Sequence, residues 1–449
     1  MHKRFTFTTL EEFKAFTREH AGDIPISEST DILLQPLSVG PFTAPNALAV
    51  QPMEGCDGTP DGSPGPLTVR RYQRLAEGGA GIIWFEACAV VPEGRANPRQ
   101  LWIHPKNVAA FRELTDMCRT IITQTFGSDF RPIFILQLTH SGRYSRPEHN
   151  PAPIIAHHSE ILDPAHSLPP DYPLVTDAYL DNIQERFSDA AGLARDAGFD
   201  GVDIKSCHRY IISELLASHT RENSRYGGPL ENRTRMIRET AAKLIKRFPE
   251  MLICTRINAF DGIPYPFGWG TDKTDFTRPD LSEPLRLFDE LNQLGISILN
   301  VTIGNPYSNP HIGRPYDRPV VGAALPDESP LYGVDRFIRV VRKVQCTFPD
   351  LPVAGGGYSW LRHLFPYVAA GILEKKWATV IGLGRLAFAY PTFARDLMEH
   401  GKIFPEKTCI ACSKCTQIMR DNGRTGCVVR DAGTYAPIYR ECRKTSASR

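Results

Sequence analysis

Eight short apolar runs recur along the chain, separated by longer stretches whose apolar residues return every three or four positions. The runs are 46–52 (NALAVQP), 81–89 (GIIWFEACA), 132–138 (PIFILQL), 201–205 (GVDIK), 252–258 (LICTRIN), 296–302 (ISILNVT), 352–355 (PVAG) and 378–382 (ATVIG). Several are apolar throughout, as strands buried on both faces are. Helical stretches such as 107–125, 177–197, 232–248 and 281–294 lie between them. Strand and helix alternating eight times predict an α/β fold, a TIM (β/α)8 barrel, with a doubly wound open sheet as the competing arrangement. Residues 1–40 read as an N-terminal extension and 41–400 as the barrel. Residues 401–449 read as a cysteine-rich C-terminal segment with a frayed basic tail from Arg443. The stretch 141–177, rich in proline and histidine and without periodicity, is predicted to be a structured excursion after the third strand.

Composition excludes more than it names. The chain is 42% hydrophobic and 23% charged over 449 residues, which rules out disorder and collagen-like repeats. A formal charge of +2 without a long basic run gives no reason to expect nucleic-acid or membrane binding. No apolar run reaches the roughly 18 residues of a membrane span. Met1–Ala15 lacks an apolar core, so no secretory signal is expected and the cytoplasm is the expected location. Cys56, Cys88, Cys118, Cys207, Cys254 and Cys346 are scattered, whereas Cys409, Cys412, Cys415 and Cys427 cluster and Cys442 follows. A C-x2-C-x2-C triplet with a fourth thiol nearby suits a [4Fe–4S] cluster, whose ligands converge from one tight loop. Zinc more often takes two separated C-x2-C knuckles.

Barrel enzymes carry their chemistry where strands end at the C-terminal face. Here those ends read Pro52-Met53-Glu54, Glu86-Ala87-Cys88, Gln137 with His140, Lys205 to Tyr210, Arg256, Gly355-Gly356-Gly357 and Gly382-Leu383-Gly384-Arg385. Glycines that admit backbone N–H groups, with the charge of Arg385, make a phosphate cradle after the seventh and eighth strands; tight turns alone are the plainer alternative. GLGRLA (382–387) has the form of a dinucleotide fingerprint but no following βαβ unit of its own. Lys205, ending a strand beside a phosphate cradle, would also suit a Schiff-base lyase.

These residues resemble the Old Yellow Enzyme family of FMN-dependent oxidoreductases over roughly residues 30–430. The most specific segment is AGFDGVDIKSCHRYIISELLASHTRENSRYGGPLENRTR (197–235), followed by QLTHSGRYS (137–145), EACAVVPEGRANP (86–98) and GLGRLAFAYP (382–391). The cysteine segment is similar to the cluster loops of the family's larger members, 2,4-dienoyl-CoA reductase and trimethylamine dehydrogenase. The resemblance implies noncovalent FMN, with Pro52, Met53 and Ala87 lining the ring and Glu54 beside it. Gln137 would bond the pyrimidine edge, Arg256 would place its charge where negative charge grows on reduction, and Gly356, Gly357, Gly384 and Arg385 would hold the phosphate. Tyr210 would be the general acid for an activated alkene, with Lys205 and His208 binding its carbonyl. Lys205 stands where relatives carry an imidazole or its equivalent, which makes an anionic or carboxylate-bearing acceptor more plausible. Glu54 also departs from the small residues common there. The expectation is an FMN and [4Fe–4S] ene-reductase-like enzyme acting on a small molecule, with amine dehydrogenation as the runner-up. The larger relatives' reductase half is not expected in a chain read to Arg449. Electrons would come from NAD(P)H directly or from a separate donor protein, and homo-oligomerisation is left open.

Overall fold

The computed structural model describes residues 2–447. Eight parallel strands close into a barrel, Leu48–Val50, Ile82–Ala89, Ile133–Thr139, Gly201–Ile204, Leu252–Phe260, Ile298–Ile303, Val353–Gly355 and Val380–Leu383, the last pairing back on the first. All eight expected strands are present, the architecture is a TIM barrel, and the open sheet is excluded by the Ile381–Leu48 pairing. Among the described residues no helix is long and apolar enough to cross a membrane.

Side-chain alternation explains why runs that look apolar throughout build two cores. On strands two and three, Ile83, Phe85, Phe134 and Leu136 face the surrounding helices. Ile82, Trp84, Ile133 and Ile135 face inward with Ala49, Leu252, Cys254, Ile298, Ala354 and Val380. A hairpin, Leu37–Val39 and Phe42–Ala44, closes the bottom of that inner core and spans the expected boundary at residue 40. Followed upward by twos, the inward rows turn polar: Gln51, Gln137, Asp203, Arg256 and Asn300 are the next residues in register. Gln51 and Asn300 exchange amide hydrogen bonds of 3.1 and 2.8 Å across the barrel. The floor is therefore apolar and the mouth is built for a polar ligand.

The excursion 141–177 is ordered by buried charge. The Arg143 guanidinium bonds Asp163, Glu214 and the carbonyl of His157. Of the arginine-rich block, Arg221 and Arg233 are structural, bonding the backbone carbonyls of Ala156, Val175, Leu216 and Gly228. At the C-terminus, residues 443–447 continue the helix Ala432–Ala447 instead of fraying; 448–449 lie outside the described residues. That segment is clamped to the barrel by Asp431, which pairs with Arg70 and Arg74 at 2.7 and 2.5 Å, and by Thr425 N–H donating to the Gly55 carbonyl at 2.6 Å.

Candidate active site

A cavity of about 1140 Å³, part of it open to solvent, occupies the mouth of the barrel. Pro52, Met53, Glu54, Gln137, Lys205, His208, Tyr210, Arg256, Gly356, Gly357, Gly384 and Arg385 all line it. Ala87 does not. It is fully buried in the strand irregularity between Phe85 and Cys88, and the first strand contributes Gln51 to the wall as well.

At one end of the cavity the chain makes an anion cradle. Gly357 has φ +85°, a conformation that penalises any Cβ, and the Phe337 ring would meet such a Cβ at 3.0 Å. Arg385 donates one Nη2 hydrogen to the Pro315 carbonyl at 2.6 Å, while its buried Nη1 has no partner. Arg314, which the sequence reading missed, also lines the cavity; it donates to Thr416 Oγ1 at 2.6 Å, and its Nε is likewise buried without a partner. Burial and the charge of Arg385 lower the Arg314 guanidinium to about 10.

The middle of the cavity holds a fixed amide and a fixed cation. Gln137 Nε2 donates to Asp203 at 2.7 Å, which leaves its other N–H and its carbonyl oxygen for a ligand. The Arg256 backbone N–H donates to the same carboxylate, and the buried Arg256 Nε is unpartnered. Unpartnered buried N–H groups are rare in folded chains. Arg256, Arg314 and Arg385 each line the cavity and each keep one such nitrogen, which fits an anionic, hydrogen-bond-accepting cofactor such as FMN.

The opposite end carries the reactive side chains. His208 and Arg209 both have left-handed backbone, φ +65° and +61°, a cost of order 1 kcal/mol each that persists only where the surroundings over-determine it. Here they do. Asn258 Oδ1 accepts from the His208 N–H at 3.3 Å, and the buried Arg209 guanidinium bonds Asp261 and His157 at 3.2 and 3.1 Å. Burial, with the charges of Arg256, Lys205 and Arg314, holds His208 well below the usual histidine range, so it is a neutral imidazole. Burial and the nearby Glu54 hold the Tyr210 phenol well above its ordinary range. Its hydroxyl is 3.3 Å from that of Tyr307, which stacks on Tyr144 at 3.8 Å. Lys205 Nζ lies 3.9 Å from the centre of the Tyr210 ring. Glu54 faces the cavity, accepts from Gln100 Nε2, and is pushed up by burial against the opposing charge of Lys205.

Cys409, Cys412, Cys415 and Cys427 line one smaller cavity of about 370 Å³, and Cys442 does not. A tetrahedral zinc with bonds of about 2.3 Å would need sulfurs about 3.8 Å apart. Among the described residues these sulfurs do not form a set of three within 4.8 Å of one another. Cys415 and Arg385 line both cavities, and Cys415, Thr416, Met419 and Thr425 make the C-terminal segment a wall of the larger one. Nothing in the spacing of Gln51, Tyr307, Arg314 or Thr416 marked them beforehand; only inward alternation from Ala49 could have pointed to Gln51.

Comparison with known proteins agrees with this geometry. A family model described as the NADH:flavin oxidoreductase / NADH oxidase family matches residues 32–273. An NADPH dehydrogenase of Bacillus pumilus is 29% identical over 251 residues, 54% of this chain and 64% of that one. An NADH:acrylate oxidoreductase of Vibrio harveyi is 33% identical over 167 residues, covering 36% of this chain and 15% of its own. A solved 2-naphthoyl-CoA reductase in complex with 2-naphthoyl-CoA shares the fold, with a TM-score of 0.71 at 18% identity over 89% of this chain and 57% of that one. In each case the chain matches less than two thirds of the relative's length.

Proposed function

The chain belongs to the NADH:flavin oxidoreductase / NADH oxidase family, and on that premise we propose that it is an FMN- and [4Fe–4S]-dependent oxidoreductase that reduces an activated C=C bond bearing a carbonyl or carboxylate. The observation that carries this reading is a buried Tyr210, with Lys205 Nζ 3.9 Å from the centre of its ring, sharing with His208 the cavity that also holds the anion cradle. Flavin, when bound, supplies the hydride. Arg385, Gly356, Gly357 and Gly384 would hold its phosphate, Gln137 and Arg256 its pyrimidine edge, and Pro52 and Met53 its face. The chain's own residues do the rest. Lys205 and His208 would take the substrate's oxygen, an ammonium offering a strong but undirected contact and an imidazole N–H a directed one. The Tyr210 hydroxyl would protonate the carbon α to that group, which is strongly basic once hydride has arrived at the β position. Glu54, which lines the same cavity and feels the charge of Lys205, would favour keeping the ammonium there. Cys409, Cys412, Cys415 and Cys427, which line one cavity, would hold the cluster, and their C-x2-C-x2-C spacing favours it over zinc.

The name of the Vibrio harveyi relative points to a carboxylate-bearing alkene, the acceptor that Lys205 favours. Amine oxidation has one observation on its side, the tyrosine group Tyr144, Tyr210 and Tyr307 near Glu54, which could seat a cation. Lys205 already occupies that seat at 3.9 Å from the Tyr210 ring, so the amine reading ranks second. The electron source is either NAD(P)H at the flavin or a separate donor protein. Purification without oxygen should give a yellow-brown protein with flavin, iron and sulfide, whose reduced form is reoxidised by enoates, enones or enoyl thioesters. A colourless protein, or one oxidised by none of these but reduced by amines, would overturn the proposal.

A further inference from the structure

Arg314 and Arg385 form a charge problem that the protein alone does not solve. Both line the cavity. Neither makes an ion pair among the described residues; their side-chain partners are a neutral hydroxyl, Thr416 Oγ1, and a neutral carbonyl, Pro315 O. Each keeps one buried nitrogen without a partner, Nε of Arg314 and Nη1 of Arg385. Two neighbouring guanidiniums in a partly buried site repel, and buried N–H groups left unbonded carry a desolvation cost. A bound dianion within reach of both would offset both penalties.

The loop that carries Arg314 is held in place. Gly313 passes so close to strand six that a Cβ there would lie 2.0 Å from the Ile303 carbonyl oxygen. Asn309 Nδ2 donates to the carbonyls of Asp261 and Gly262 at 3.0 and 2.7 Å. The next residue, Pro315, is the one whose carbonyl holds Arg385. The two arginines are thus set as a pair by one backbone turn, and Thr416 of the cysteine-bearing segment fixes the outer arm.

We propose that Arg314 is a second phosphate-binding arm, closing the cradle of Gly356, Gly357, Gly384 and Arg385 from the loop after strand six, and that Thr416 positions it. This rests on the flavin reading above. It also ties flavin retention to the C-terminal segment, because the arm's side-chain bond is to the residue that follows Cys415.

Flavin-free full-length chain, titrated with FMN and separately with riboflavin while flavin fluorescence is followed, tests it. Arg314→Ala should weaken FMN about ten- to hundred-fold, the range expected for charge-assisted hydrogen bonds, and leave riboflavin within about twofold. Arg385→Ala should show the same pattern. Arg314→Lys and Thr416→Val, milder changes that should fold if alanine does not, should lose part of the FMN preference and none of the riboflavin affinity. FMN binding as tight in all the Arg314 variants as in wild type would overturn the inference. Equal losses for FMN and riboflavin would also overturn it, placing Arg314 at the ring or at the cysteine cavity. If wild type binds neither flavin, the cofactor reading itself falls, a result distinct from either.

Discussion

Lys205 and Tyr210 sit five residues apart, yet the left-handed turn at His208 and Arg209 folds the ammonium over the phenol ring at 3.9 Å. The sequence motif identified the three side chains but not this contact, because positive φ at non-glycine residues has no local signature. It appears only when Asn258, Asp261 and His157, from other elements, hold the turn. The same holds for Arg314 and Tyr307, loop residues gathered by tertiary contact. Glu54 proved to face the cavity, with Gln100 bonded to it from the same loop as the 86–98 motif but two residues beyond its end. Lys205→Met keeps much of the chain length and removes the charge. With a carboxylate-bearing alkene it should lower kcat/KM about ten- to hundred-fold, the cost of a lost charge-assisted bond, while a quinone is reduced at the wild-type rate. Steady-state kinetics on the two acceptors check this; equal losses on both would remove Lys205 from substrate binding.

Among the elements, the barrel strands were legible because each run satisfies two rules at once, apolar outward toward helices and apolar inward at the floor. The hairpin at Leu37–Ala44 was not, since three-residue strands carry too little alternation to stand out. The helix Ala432–Ala447 was read in part as a frayed tail because its residues are mostly polar and Pro437 interrupts it. It is held by Tyr435 in a small apolar cluster with Ile418 and Val428, and by Arg443 pairing with Asp421 at 3.1 Å. The cysteine segment follows the opposite logic: its spacing is a local signature, and the four sulfurs it marked share one cavity. Serine at any one of Cys409, Cys412, Cys415 or Cys427 should abolish the broad iron–sulfur absorbance and lower iron per flavin. Cys442→Ser should retain both, its sulfur lying instead near Gly423. An intact cluster after Cys427→Ser would contradict the assigned ligand set.

At the scale of the molecule, burial of neutral histidines couples stability to pH. His140 is fully buried, its Nδ1 accepts from the Gly142 N–H at 3.1 Å, and its Nε2 bonds the Tyr179 hydroxyl at 2.8 Å. With Nδ1 committed as an acceptor, a second ring proton has no place, and burial lowers the group to about 4. The unfolded chain therefore binds a proton below pH about 6.5 that the folded chain refuses until about pH 4. Stability falls as pH drops through that window, by up to about 3 kcal/mol from this residue at 1.36 kcal/mol per pH unit. His157 and His208 are lowered in the same direction. Thermal melts from pH 7 to 4 should show Tm falling, with a shallower slope in His140→Gln; an unchanged slope would contradict the buried neutral state.

In the proposed reaction the step that belongs most to this chain is proton delivery by Tyr210 to the alkene's α-carbon after hydride has arrived. Tyr210→Phe keeps the ring that packs under Lys205 and removes only the hydroxyl. Anaerobic stopped-flow mixing of prereduced enzyme with an activated alkene, and in parallel with a quinone that needs no protonation at carbon, isolates that step. This role predicts that the variant reoxidises about 10²–10⁴-fold more slowly with the alkene, the range for loss of a general acid, and at the wild-type rate with the quinone. Alkene rates that match between wild type and Tyr210→Phe would contradict it.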